Sequence, residues 1–258
     1  DFFEGDKPDW WMPPSLESAR RRARLAREEE IKSRFAQGDE LRELRADLDV
    51  LRDNLKWAEA VGDEDRVKDL NEALSSGESR DAELVYAKAL KSIEKAKKII
   101  KIEKQKDEVM KYMERASMAR ACITRYNLDG LWVGTYGKHG SELINVTYSG
   151  DTLVATKVTG DRHVPRGEIS FKVDLSPRDN KSNALDPVQL SESAASKWGL
   201  DKLSRYPGEG QVAAKGFKDA KYVNGQLIMF EDYFSFIWVP TRHHVFFSRP
   251  SPELTIHM

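Results

Sequence analysis

"LDGLWVGTYGKHGSELINVTYSGDTLVATKVTGD", residues 128–161, breaks with everything that precedes it. Six glycines fall within these 34 residues, and β-branched or aromatic side chains alternate with polar ones. A period of two marks a strand with one buried face, because successive side chains point to opposite sides of a sheet. The hundred residues upstream are charged, rich in Leu and Ala, and poor in Gly and Pro. The chain therefore reads as segregated α+β: helices first, then an all-β module.

Toward the C-terminus the alternation predicts eight strands, over 130–137, 143–149, 152–159, 168–175, 211–217, 221–230, 234–240 and 243–249. "SGD" at 149–151 and "VNG" at 223–225 have turn chemistry, and "PTR" at 240–242 closes the last hairpin. Eight short, mostly sequential strands predict an antiparallel β-barrel. Residues 176–210 form the one long insertion, with a short helix expected around 190–198. Loops of that length in a compact domain are mostly functional or disordered.

Toward the N-terminus the period lengthens. Leu41, Leu44, Leu48, Leu51 and Leu55 follow a 3-4-3-4 spacing, which places them on one stripe of a helix. "AVGDED" at 60–65 interrupts the pattern, which resumes with Val67, Leu70 and Leu74, and "SSGES" at 75–79 predicts a second break. The run from Asp81 to about Arg120 has no Gly or Pro and predicts one helix near 40 residues, on the order of 60 Å long. A long helical hairpin or coiled coil is expected. The expected organisation is a leader at 1–14, a helical arm at 15–127, the barrel at 128–250 with its insertion at 176–210, and a tail at 251–258.

The bulk numbers narrow the function classes. A chain of 258 residues can bury a proper core, and 33% charged against 40% apolar residues predicts a soluble protein. A formal net charge of −1 exerts no global pull on nucleic acid. Eight lysines face two glutamates over 88–106, without an arginine or an aromatic, so a solvated helix face is expected rather than a nucleic-acid surface. Cys122 is alone, which fits a reducing compartment. No apolar run reaches the roughly 20 residues of a membrane span. Asp1 rather than Met stands first, and a cleaved targeting peptide and a missing start both remain open.

"DGLWVGTYGKHGSELI" (129–144), "VATKVTGDRHVPRGEISFKVDL" (154–175), "GEGQVAAKGF" (208–217), "YVNGQL" (222–227), "FSFIWVP" (234–240) and "VFFSR" (245–249) occur in a telling order and spacing. Together they resemble a β-domain found in two groups. One is the F-box ubiquitin-ligase receptor that captures cyclin D and proteins bearing C-terminal degrons; the other is the plastid EXECUTER proteins of singlet-oxygen signalling. "LRDNLKWAEAVGDEDRVKDLNEAL" (51–74) is similar to the short UVR-type helical hairpin upstream in EXECUTER-type proteins. Two departures stand out. Nothing before residue 128 resembles an F-box, and the tryptophan tied to singlet-oxygen sensing in the EXECUTER family is replaced by Tyr222. The resemblance implies a protein- or peptide-binding platform in a plastid setting, with cytosol or nucleus as the alternative.

Catalytic signatures are weak. "GTYGKHG" lacks the G-K-[ST] ending and the following helix that a phosphate loop needs. His139 and His163 lie in the two signature blocks, but no histidines stand at a zinc spacing, so neither metal nor cofactor is expected. Cys122 reads as a buried structural cysteine, and Asp161 as a turn residue capping backbone donors rather than a general base. An enzyme is not expected. Trp132, Tyr136, Trp238 and Phe246 are expected in the barrel interior, or at a mouth where Lys157 or Arg162 meets a carboxylate. Phe2, Phe3, Trp10 and Trp11 sit in a leader that Pro8, Pro13 and Pro14 keep from helix, and they pack either on this chain or on a partner.

The partner-binding candidates are therefore Phe2, Phe3, Trp10, Trp11, Tyr136, His139, Lys157, Asp161, Arg162 and Trp238. The expected function is a non-enzymatic binding or scaffold subunit of a larger plastid assembly. Its partners are other proteins, without specific nucleic acid, and any membrane association is peripheral and indirect. The alternative is a degron-type receptor or stress-signalling regulator that uses the barrel as a peptide pocket.

Overall fold

A computed structural model describes residues 16–99, 104–136, 140–177, 185–230 and 233–251. The chain divides into two compact units, Asp1–Cys122 and Ile123–Met258.

The first unit is helical: α1 (Leu16–Ser33), α2 (Gly38–Val61), α3 (Glu64–Glu78), α4 (Ala82–Ile99) and α5 (Lys104–Ala121). α2 ends on Gly62 in the left-handed conformation, and Asp63 caps α3 by accepting from the Arg66 amide at 3.1 Å. This is the "AVGDED" interruption, and α2 and α3 pack together across it. The second break falls at the end of "SSGES": α3 runs through Gly77 to Glu78, and Ser79 is its C-cap. The glycine there has a packing role: a Cβ on Gly77 would sit 2.9 Å from Leu48 Cδ2, and Leu48 is buried in α2.

Asp81 starts α4. Its carboxylate accepts from the Glu83 amide at 2.9 Å and from Arg45 Nε at 2.7 Å. The expected forty-residue rod is not formed, since α4 and α5 lie side by side. A lone amphipathic helix of that length would keep its apolar stripe in water. Val85, Tyr86 and Ala89 of α4, and Ala116 and Ala119 of α5, are buried instead.

The second unit is the barrel. Its strands are β1 (Gly130–Thr135), β2 (Ser141–Ser149), β3 (Thr152–Lys157) and β4 (Ile169–Asp174). A two-stranded ribbon of β5 (Val188–Gln189) and β6 (Lys202–Leu203) flanks α6 (Glu192–Trp198). The barrel then continues with β7 (Arg205–Ala214), β8 (Lys218–Met229), β9 (Phe234–Trp238) and β10 (His243–Ser248). Eight strands close in the order β1-β10-β9-β8-β7-β4-β3-β2, antiparallel throughout.

Three expectations fail here. The fifth barrel strand begins at Arg205 rather than 211, so the insertion ends six residues early. "VNG" is not a turn; Asn224 and Gly225 pair with Glu209 and Gly208 inside β8. Gly225 serves close packing, because a Cβ there would lie 2.2 Å from Phe236 Cζ. Phe246 is 53% exposed, because the inward positions of β10 belong to Val245 and Phe247.

Aromatic rings fill the interior. Phe171 stacks on Phe236 at 4.2 Å, and Trp132 meets Phe234 edge-on at 4.8 Å. One end is closed by the 3-10 turn Thr124–Tyr126. There the Tyr126 hydroxyl and Arg125 Nε both donate to the Leu175 carbonyl, at 2.7 and 3.1 Å. The Tyr148 hydroxyl donates to the Arg125 carbonyl at 2.9 Å and accepts from the Leu128 amide at 2.8 Å.

Candidate functional site

The opposite end of the barrel is open. A cavity of about 410 Å³ is lined there by Tyr136, Lys157, Asp161, His163, Val164, Ser170, Gln211, Val212, Ala213, Trp238, Thr241 and His243. The strands explain who lines it. Lys157 ends β3 and Trp238 ends β9, both at inward positions, while His243 begins β10 opposite Trp238. Asp161 and His163 come from the β3–β4 connection, and Gln211 to Ala213 from β7.

A buried charge cluster forms the floor. Lys157, 2% exposed, donates to Asp161 Oδ2 at 2.8 Å and to Glu142 Oε2. Its ammonium also lies 4.1 Å from the Tyr136 ring centre, a cation–π contact. Two carboxylates thus share one ammonium, and Glu142 Oε1 is buried with no hydrogen-bond partner. Burial pushes the Glu142 carboxyl up; the lysine opposes this and the Asp161 charge adds to it. Burial also pushes Asp161 up, but Lys157 and the amides of Val164 and His163 outweigh it, and its carboxyl lies below the usual range. Those two amides donate to Asp161 Oδ1 at 2.8 and 2.5 Å, so this residue caps the turn after Gly160. Burial drives the Tyr136 hydroxyl well above its ordinary value, and it sits 3.3 Å from Ser170 Oγ.

The rim is polar and aromatic. Trp238 Nε1 donates to the Gln211 carbonyl at 3.2 Å, while buried Gln211 Oε1 has no partner. His163 Nδ1 lies 3.0 Å from the Ala213 carbonyl. The cavity therefore presents acceptors and aromatic faces, with its lysine already engaged by two acids. That arrangement suits a donor-bearing group better than a carboxylate.

Of the residues singled out from sequence, Tyr136, Lys157, Asp161 and Trp238 come together at this cavity. Arg162 is exposed and does not line it; its carbonyl accepts from the Gly216 amide at 2.8 Å. Phe2, Phe3, Trp10, Trp11 and His139 lie outside the described residues. Sequence reading missed Glu142, Gln211 and His243. Glu142 precedes the strand expected over 143–149 and joins it only because β2 begins at Ser141, and cross-strand register alone reveals the others. Cys122 is half-buried with burial raising its thiol, and its Sγ is 3.9 Å from the Ile31 carbonyl. Tyr222 is 40% exposed on β8, with the Lys172 ammonium 5.1 Å from its ring centre. Among the described residues no group of three His, Cys, Asp or Glu could hold a metal, and no helix is long and apolar enough to cross a membrane.

Known proteins match parts of this sequence. Protein EXECUTER 1, chloroplastic, of Arabidopsis thaliana is 25% identical over 208 residues, covering 65% of this chain and 29% of that protein. F-box only protein 31-B of Xenopus laevis is 45% identical over 76 residues, 30% of this chain and 13% of that protein. F-box only protein 31 of Homo sapiens is 41% identical over 49 residues, 19% of this chain and 9% of that protein. The chain spans less than a third of the length of these relatives. A family model described as the cyclin D1 binding domain matches residues 113–251, more than half of the chain, and the chain belongs to that family.

Proposed function

We propose that this chain is a non-enzymatic protein-binding module whose barrel receives a segment of a partner protein in the cavity at its open end. The observation that carries this reading is the cavity itself: about 410 Å³, edged by Tyr136 and Trp238, with an unpartnered acceptor at Gln211. Aromatic walls with a few placed polar groups are how peptide side chains and termini are held. The family description, a domain that binds cyclin D1, supports a protein ligand in general terms. Covalent catalysis would need a nucleophile beside a base. Here His163 Nδ1 is directed at a backbone carbonyl, and Asp161 is engaged by Lys157 and two amides.

The chloroplastic relatives favour a plastid assembly as the setting. The F-box relatives, more identical over shorter stretches, support the alternative of a receptor that hands bound proteins on. The test is capture from native extract on the immobilised chain, alongside Ala213→Phe and Gln211→Leu, which fill or neutralise the cavity. Both variants should keep the melting temperature and lose the captured proteins. Equal capture by the filled variant would remove the cavity from the account.

A further inference from the structure

The open end of the barrel is basic, although the chain as a whole carries a net charge of −1. Around the closed barrel, the connections β3–β4, β7–β8 and β9–β10 follow one another at that end. The Gly216 amide of the second donates to the Arg162 carbonyl of the first at 2.8 Å, and the third packs on β8. Exposed on or next to them are Arg162, Arg166, Lys215, Lys218 and Arg242, and among the described residues these side chains form no ion pair. Asp161 is held below by Lys157, which leaves exposed Asp219 and half-buried Glu168 as the opposing acids. Phe217, Asp219 and Arg242 hold φ of 58°, 52° and 53°, and among the described residues they are the non-glycine positions in the left-handed region. Such angles cost energy, and backbone held in them at a pocket mouth marks a surface shaped for contact.

We propose that the partner segment is acidic: it places one donor-bearing group in the cavity and sets Asp or Glu side chains on the basic rim. This inference rests on the protein-binding reading of the cavity and adds the chemistry of what flanks the buried group. The two parts ask for opposite charge. The floor offers acceptors and a lysine already taken by Glu142 and Asp161, so a ligand carboxylate gains little there. On the rim, the arginines offer paired donors that match a carboxylate without leaving water. Rim charge of this kind speeds encounter and rejects basic segments. The cations stand around a pocket of about 410 Å³ instead of lining a groove that could track a nucleic-acid backbone, which favours a peptide.

The test is selection from a random peptide display library on the immobilised full chain, beside Ala213→Phe and a triple variant, Arg162→Gln, Lys215→Gln and Arg242→Asn. Asparagine tolerates the left-handed backbone at 242, and all three side chains are exposed, so the melting temperature should not move. The wild type should enrich peptides richer in Asp and Glu than the starting library, with affinity that falls as salt is raised. The triple variant should bind those peptides about tenfold more weakly and with less salt dependence. Ala213→Phe should not retain them. Enriched peptides that need the cavity but carry no excess of acid overturn this proposal and leave the cavity reading standing. Acidic peptides held equally by Ala213→Phe overturn both, as does a wild type that enriches nothing. A mixed-sequence single-stranded DNA that binds the wild type more tightly than the selected peptides, and the triple variant poorly, makes the rim a nucleic-acid surface and also overturns the proposal.

Discussion

Lys157 is the residue on which the open end of the barrel turns. Its ammonium stands between Glu142 and Asp161 beneath the Tyr136 ring, and all but Asp161 are nearly shut off from water. Removing the cation leaves two carboxylates facing each other in a poorly solvated pocket. Lys157→Met should therefore destabilise the chain by about 3–5 kcal/mol, read from urea unfolding. A loss under about 1 kcal/mol would show the cluster to be well hydrated. The two acids titrate with opposite consequences. Asp161 has a depressed folded value, so its contribution is whole above about pH 4 and drains as acid is added below that. Asp161→Asn should flatten stability loss in that acid window. Glu142 has a raised folded value, so its neutral form stabilises below about pH 4 and that contribution is lost as pH climbs through its elevated value. Glu142→Gln should remove this second slope. Unfolding midpoints measured against pH for the two variants separate these effects, and identical profiles would sink the assignment.

At the scale of elements, two glycines inside regular structure have different tolerances. A Cβ on Gly225 of β8 would meet Phe236 Cζ at 2.2 Å and Ile237 O at 3.1 Å, and Phe236 is stacked on Phe171 with no room to retreat. Gly225→Ala should cost at least the about 1–3 kcal/mol of an overpacked core. On α3, a Cβ at Gly77 would meet side chains alone, the end of Leu48 at 2.9 Å and Leu44 Cδ1 at 3.5 Å. Alanine gains about 1 kcal/mol of helix propensity there, so Gly77→Ala should leave the melting temperature nearly unchanged. Comparable losses in both variants would show that the helical hairpin is as rigidly packed as the barrel. Gly77 of "SSGES" and Gly225 of "VNG" read as turn residues because glycine signals both turns and close approach, and local sequence does not tell the two apart.

For the whole molecule, the division at Cys122 and Ile123 implies a barrel that holds itself together. A fragment spanning residues 123–252 should melt cooperatively by circular dichroism. A fragment without a transition, beside an intact chain that has one, would show the barrel to depend on the helices. Deleting residues 1–14 is a second test at this scale. If the leader's aromatics anchor a partner, the isolated chain keeps its melting temperature and loses its native complex.

The sequence by itself determined the two-part organisation, the eight-stranded barrel and the first helical turn. Each rests on local signals: a period of two or of 3.6 residues, a left-handed Gly62, a capping Asp63. It also pointed to Tyr136, Lys157, Asp161 and Trp238. Only the tertiary structure decided what those residues do together. Lys157 read as a seat for a ligand carboxylate until the pairing of β2 with β3 brought Glu142 beside it. Gln211 and His243 reach the cavity through strand register, which no single stretch encodes. The run from 81 to 120 is helical by every local rule, and the need to bury its apolar stripe sets α4 beside α5. Periodicity is a property of neighbours along the chain. Charge neutralisation, cavity lining and helix folding-back depend on neighbours in space, and those exist only once the chain has closed on itself.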